Sequence, residues 1–100
     1  MSAYQVVGKS GTPIKPVVTL HPGEVLLMEI EARGLKKFEL AAQLNILPSQ
    51  LSELLHGKRH VSAQMAIRLE ALLGIDAAFW MRLQTAYDIA VERGRLAAAA

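Results

Sequence analysis

The chain has 100 residues, a net charge of +2, 5% aromatic residues and no cysteine. That length suits one domain, and the lack of cysteine excludes disulfides, thiolate metal sites and a cysteine nucleophile. No run of about 18 apolar residues occurs, which excludes a membrane-spanning helix, and the start of the chain lacks the basic-then-apolar layout of a secretory signal. A cytoplasmic protein without cofactor or metal is expected, and the Ala- and Leu-rich composition predicts an all-α fold.

Residues 1–20 read as an extended arm with one short strand. Tyr4 to Val7 and Pro16 to Leu20 have β-branched character, and Gly8, Gly11, Pro13 and Pro16 interrupt them. Gly8-Lys9-Ser10 has the ending of a phosphate-binding loop. Ala3 stands where that loop needs its first glycine, and no strand–loop–helix context follows, so the motif is set aside.

His21-Pro22-Gly23-Glu24 opens the first helix. Pro22 fits the first helical position, and the Glu24 carboxylate can reach back to unpaired N–H groups. Leu26, Leu27 and Ile30 form its buried face and Gly34 ends it. His21 is read as a helix-start residue, not a ligand, because no second His or acid lies at ligand spacing.

Two short helices follow, about residues 37–44 and 48–55, joined by a tight turn. Leu40, Ala41 and Leu44 share one face of the first; Leu51, Leu54 and Leu55 share one face of the second. Asn45 tolerates the left-handed turn conformation, and Pro48 suits the first turn of a new helix. Ala41 is small where two helices must approach. This is a helix-turn-helix, and its second helix carries a polar edge of Ser49, Gln50, Ser52 and Glu53. Residues 36–68 hold five basic side chains (Lys36, Lys37, Lys58, Arg59, Arg68) against two acidic ones, Glu39 and Glu53. The basic excess therefore sits on this unit, a modest footprint for a polyanion.

Gly57 caps the second of these helices, and Lys58-Arg59-His60 form a basic loop. Ser62 starts the fourth helix, with Ala66, Leu69, Leu72 and Leu73 inward and Arg68 and Glu70 outward, and Gly74 stops it. Asp76 caps a fifth helix from about Ala77 to Arg93. Its apolar residues spread over a face wider than one core needs.

Gly34-Leu35, Glu39-Leu40-Ala41, Leu44, Ile46, Leu51-Ser52, Leu54 and Gly57-Lys58 together resemble the Xre/Cro-type helix-turn-helix family. His21-Pro22-Gly23-Glu24, and in the fifth helix Phe79-Trp80, Leu83-Gln84 and Ala86-Tyr87-Asp88, resemble the HigA-type antitoxins, or plasmid-maintenance antidote proteins. The resemblance covers roughly residues 20–93. It implies a five-helix, lambda-repressor-like domain over residues 21–94, and the broad apolar face of the last helix marks that helix as the expected dimerisation element. The arm of residues 1–20 precedes it, and a frayed tail of residues 95–100 follows. It also implies a dimeric protein that binds double-stranded operator DNA, represses its own operon and neutralises a HigB-type, mRNA-cleaving toxin. The chain departs from the family at Lys36 and Lys37, where Ser and often Gln stand. It departs again at Asn45 for the turn Gly, at Leu47 for a capping Ser, and at Pro48, which can only pack.

On this reading Gln50 is the best base reader, since an amide pairs bidentately with adenine. Ser49 and Ser52 lie beside it, and Glu53 either accepts from cytosine or repels the backbone. Lys37, Lys58 and Arg59 hold phosphates. A two-fold dimer through Trp80, Tyr87 and Val91 supplies the second half-site contact. The competing reading of that stripe is cover by the arm or the first helix within one chain. Two other functions compete: a regulator or protein-interaction module without a toxin, and an enzyme. Ser52 and His56, four apart, imitate a nucleophile and base, but no acid is placed to orient His56.

Overall fold

The computed structural model describes residues 19–99. Its five helices are α1 Pro22–Arg33, α2 Lys37–Gln43, α3 Pro48–Leu55, α4 Ala63–Leu73 and α5 Ala77–Ala99, and no strand occurs among the described residues. The expected arm with its short strand lies, but for Thr19 and Leu20, outside the described residues.

Local chemistry sets the ends. At α1 the His21 N–H donates to Glu24 Oε1 (3.0 Å) and the Gly23 N–H donates to His21 Nδ1 (2.9 Å). The histidine thus does the work usually given to Ser or Asp, offering its ring nitrogen as acceptor to an otherwise unpaired helix N–H. Gly34 at φ 65° turns the chain left-handed, and the Leu35 N–H closes the end on the Ile30 carbonyl (2.9 Å). Asn45, at φ 60°, plays the same part after α2, with the Ile46 N–H donating to the Ala41 carbonyl (3.0 Å). Ser62 Oγ accepts from the Met65 N–H at α4, and Asp76 Oδ1 from the Ala78 N–H at α5.

The core draws on every helix: Leu26 and Ile30, Leu40 and Leu44, Leu51 and Leu54, Ala66 and Leu69, and Trp80. Ala41 is fully buried, as its small size at a close approach requires. Three expectations change. Leu27 is only half-buried and lines a surface cleft, and Leu72 is exposed. On α4 the inward stripe is Ala66, Leu69 and Leu73, leaving Leu72 about 100° away around the helix. The α5 helix continues to Ala99 instead of ending near Arg93. Its end carries alanines, the strongest helix formers, and a Glu92–Arg95 ion pair three residues apart.

Among the described residues no helix is long and apolar enough to cross a membrane, and no group of three His, Asp or Glu side chains could hold a metal.

Candidate nucleic-acid interface

α2 and α3 pack as a helix-turn-helix, buttressed from behind by α1. On α3, Ser49, Ser52 and Glu53 are all exposed, and their spacing places them on one outward face. Lys37, the first residue of α2, lines a cleft of ≈ 200 Å³ with Ser52 of α3 and His56 just after it. The helix packing therefore brings one of the expected phosphate-holding lysines beside the polar edge of α3.

Other candidates are engaged. Gln50 is half-buried, and its Oε1 accepts from the Leu47 N–H (2.9 Å). It supplies one half of a capping box, the bond back to the N-cap N–H; the other half needs a side-chain acceptor that Leu47 lacks. A bidentate pair with adenine must share or release that oxygen, whereas the Gln50 NH₂ group is not used by this bond. Glu53 Oε1 accepts from both Nε (3.2 Å) and Nη2 (2.8 Å) of Arg59. This pairing moderates the repulsion that a lone Glu53 would present to phosphate and ties down the guanidinium. Arg68 donates to the Leu44 carbonyl (3.0 Å) at the end of α2, so its charge joins α4 to the helix-turn-helix. Among the described residues the ion pairs are Arg33–Glu29, Arg59–Glu53 and Arg95–Glu92, which leaves Lys36, Lys37 and Lys58 without a carboxylate.

Two elements outside the motif hold it in place. Gln84 of α5 is buried, and its Oε1 accepts from the Val61 N–H (2.6 Å) while its Nε2 donates to Asp88 (2.9 Å). The chain leaving the basic loop is thereby fixed to α5. Sequence reading did not give Gln84 this role; its only signal was its place in the Leu83-Gln84 pair of the family pattern. His21 lies edge-on to Tyr87, with ring centroids 4.7 Å apart, and α5 so braces the start of α1. Burial, reinforced by the nearby His60, pushes the His21 pKa below the usual histidine range, against the opposing pull of Glu24 and Asp88.

The expected dimerisation set shares one side of α5, but that side turns into the core at Trp80. Trp80 is 0% exposed, at the centre of the core, and so cannot meet a second copy. Tyr87 is half-buried against His21, and Val91 is 51% exposed. The open apolar side of α5 is a different one, a shallow groove lined by Ala78, Met81, Arg82, Thr85, Ala86 and Ile89.

The Ser52–His56 pair has no nucleophile–base geometry. His56 Nδ1 sits 2.7 Å from the Ser52 carbonyl oxygen and 3.5 Å from its Oγ. A carbonyl only accepts, so Nδ1 carries the proton and cannot take one from the serine.

The helix-turn-helix family model matches residues 26–80. Virulence-associated protein I of Dichelobacter nodosus is 39% identical over 71 residues, 70% of this chain and 66% of that protein. The chain thus spans just under two thirds of that relative's length. An addiction module antidote protein of the HigA family from Coxiella burnetii superposes with a TM-score of 0.71 at 33% identity, over 77% of this chain and 85% of that one. The Pseudomonas aeruginosa antitoxin HigA, solved with the higBA promoter, gives 0.73 at 32% identity over 78% and 86%. Helix order, the His21–Glu24 cap and these likenesses agree: the chain belongs to the Xre/Cro-type helix-turn-helix family and, within it, to the HigA-type antitoxins.

Proposed function

We propose that the chain is a DNA-binding antitoxin that represses its own operon and neutralises a HigB-type RNase. The observation that carries the DNA-binding part is the exposed Ser49–Ser52–Glu53 face of α3, with Lys37 in the same cleft as Ser52. A recognition helix reads bases from its N-terminal residues while flanking cations hold phosphates. Here Ser49, Ser52 and the Gln50 NH₂ group face the bases, and Lys37, Lys58 and the Glu53-bound Arg59 take the backbone. The likeness to an antitoxin solved with its promoter supports the same reading.

One such unit makes few base contacts, so tight binding calls for a two-fold dimer reading half-sites about 34 Å apart or a multiple of that. Two copies meet along the open side of α5 through Met81, Ala86 and Ile89.

The test is a gel shift with the duplex upstream of the protein's own gene, run across salt concentrations, beside co-expression with the product of the adjacent reading frame. Specific, salt-dependent binding and rescue of growth from an mRNA-cleaving neighbour are expected. DNA binding without any such neighbour would make the chain a stand-alone transcriptional regulator. Failure to bind DNA at low salt would overturn the reading of α3.

A further inference from the structure

The DNA-facing end of the helix-turn-helix is apolar where polar side chains are the usual choice. Phe38 is 74% exposed and Leu47 is 62% exposed. Pro48, bonded to Leu47, is exposed too and lines the same cleft as Phe38. Scattered exposed apolar residues need no explanation, but here Phe38 of α2 shares a cleft with Pro48 and Lys37, Leu47 directly precedes Pro48, and Lys36 and Lys37 directly precede Phe38.

None of the three can read a base by hydrogen bonding. Phe38 and Leu47 have no polar side-chain atom, and the proline lacks even a backbone N–H. The Leu47 N–H is already given to Gln50. Two lysines without carboxylates beside the cluster favour a polyanion as its partner over an apolar protein surface. The major groove of DNA joins both properties. Its edges carry phosphates, and its floor carries one exposed apolar group, the 5-methyl of thymine.

We infer that this chain selects thymine through its 5-methyl group, with Leu47 and Phe38 as the specificity-determining side chains and Pro48 shaping the surface between them. The inference rests on the DNA-binding reading above and adds to it the chemistry of recognition.

The test uses the full chain and a duplex that the chain itself selects from a random library. The same duplex is then made with deoxyuridine for each thymidine in the half-sites. That exchange removes only the methyl and keeps every hydrogen-bonding atom. Affinity should fall about fourfold for each methyl that had been buried. Leu47→Ala and Phe38→Ala, both changes at exposed positions, should bind the thymine duplex more weakly and bind both duplexes nearly alike. Equal affinity of the natural chain for the two duplexes would overturn the inference while leaving DNA binding intact. So would variants that discriminate as well as the natural chain, or that keep full DNA affinity and lose a protein partner instead. If no sequence is selected at all, the DNA-binding reading falls and takes this inference with it.

Discussion

Gly23 approaches the backbone of Leu54 so closely that a Cβ on it would stand 1.8 Å from the Leu54 carbonyl oxygen. The start of α1 therefore packs backbone to backbone on α3, and the glycine of His21-Pro22-Gly23-Glu24 exists for that contact. Gly23→Ala must push the two helices apart. It should destabilise the domain by about 1–3 kcal/mol or more and disturb the seating of α3, so DNA affinity should fall with stability. Urea unfolding alongside binding measures both; an alanine variant as stable as the natural chain would refute the close approach.

Gln84→Leu removes the acceptor of the buried Val61 N–H. Leaving that donor unpaired should cost about 1–3 kcal/mol. Hydrogen exchange at Val61 should accelerate more than at Leu26 or Leu51, because the loop after α3 loses its anchor while the centre of the core keeps its packing.

The His21 cap predicts a pH dependence. Its ring accepts from Gly23 through Nδ1, which only the neutral ring can do. Its pKa is lowered in the fold, so the unfolded chain binds the proton more readily. Stability from this site is fully present above the ordinary histidine pKa, about 6.5, and is lost as pH falls through the lower, folded value. Thermal unfolding should show a midpoint that falls as the pH drops below about 6.5, with a shallower fall in His21→Asn, whose amide oxygen accepts at either pH. Equal slopes would mean that other groups govern the acid limb.

Trp80 and Ile89 separate core from interface. Trp80→Ala should cost about 3–5 kcal/mol and leave little folded protein. Ile89→Asp, on the open side of α5, should retain helix content by circular dichroism and sediment as a monomer that binds single half-sites weakly. A folded, dimeric Ile89→Asp protein would move the dimer contact off this groove.

Lys58→Ala and Gln50→Ala should differ in kind. The lysine variant should weaken binding to every duplex and lower the salt slope by about one unit. The glutamine variant loses its cap on Leu47, about 0.5–1.5 kcal/mol of stability, and any base contact its NH₂ group makes. If it loses stability without losing sequence preference, Gln50 is a cap and nothing else.

What the sequence determined was local. The starts at Pro22, Pro48, Ser62 and Asp76, the stops at Gly34, Gly57 and Gly74 and the turn at Asn45 all act within one helical turn, so each is legible from its neighbours. The same holds for the helix-turn-helix, whose two helices adjoin in the chain. Tertiary structure decided which way each helix is rotated. On α5, apolar residues occupy so much of the circumference that the sequence alone pointed Trp80 at a second copy instead of the core. Packing against α4 and α1 buried the tryptophan and left Ile89 outside. It also decided which polar groups are already in use. The bond from Val61 to Gln84 spans 23 residues and that from Arg68 to Leu44 spans 24. No periodicity within one helix records a partner that distant, because such a bond exists only once the helices have docked.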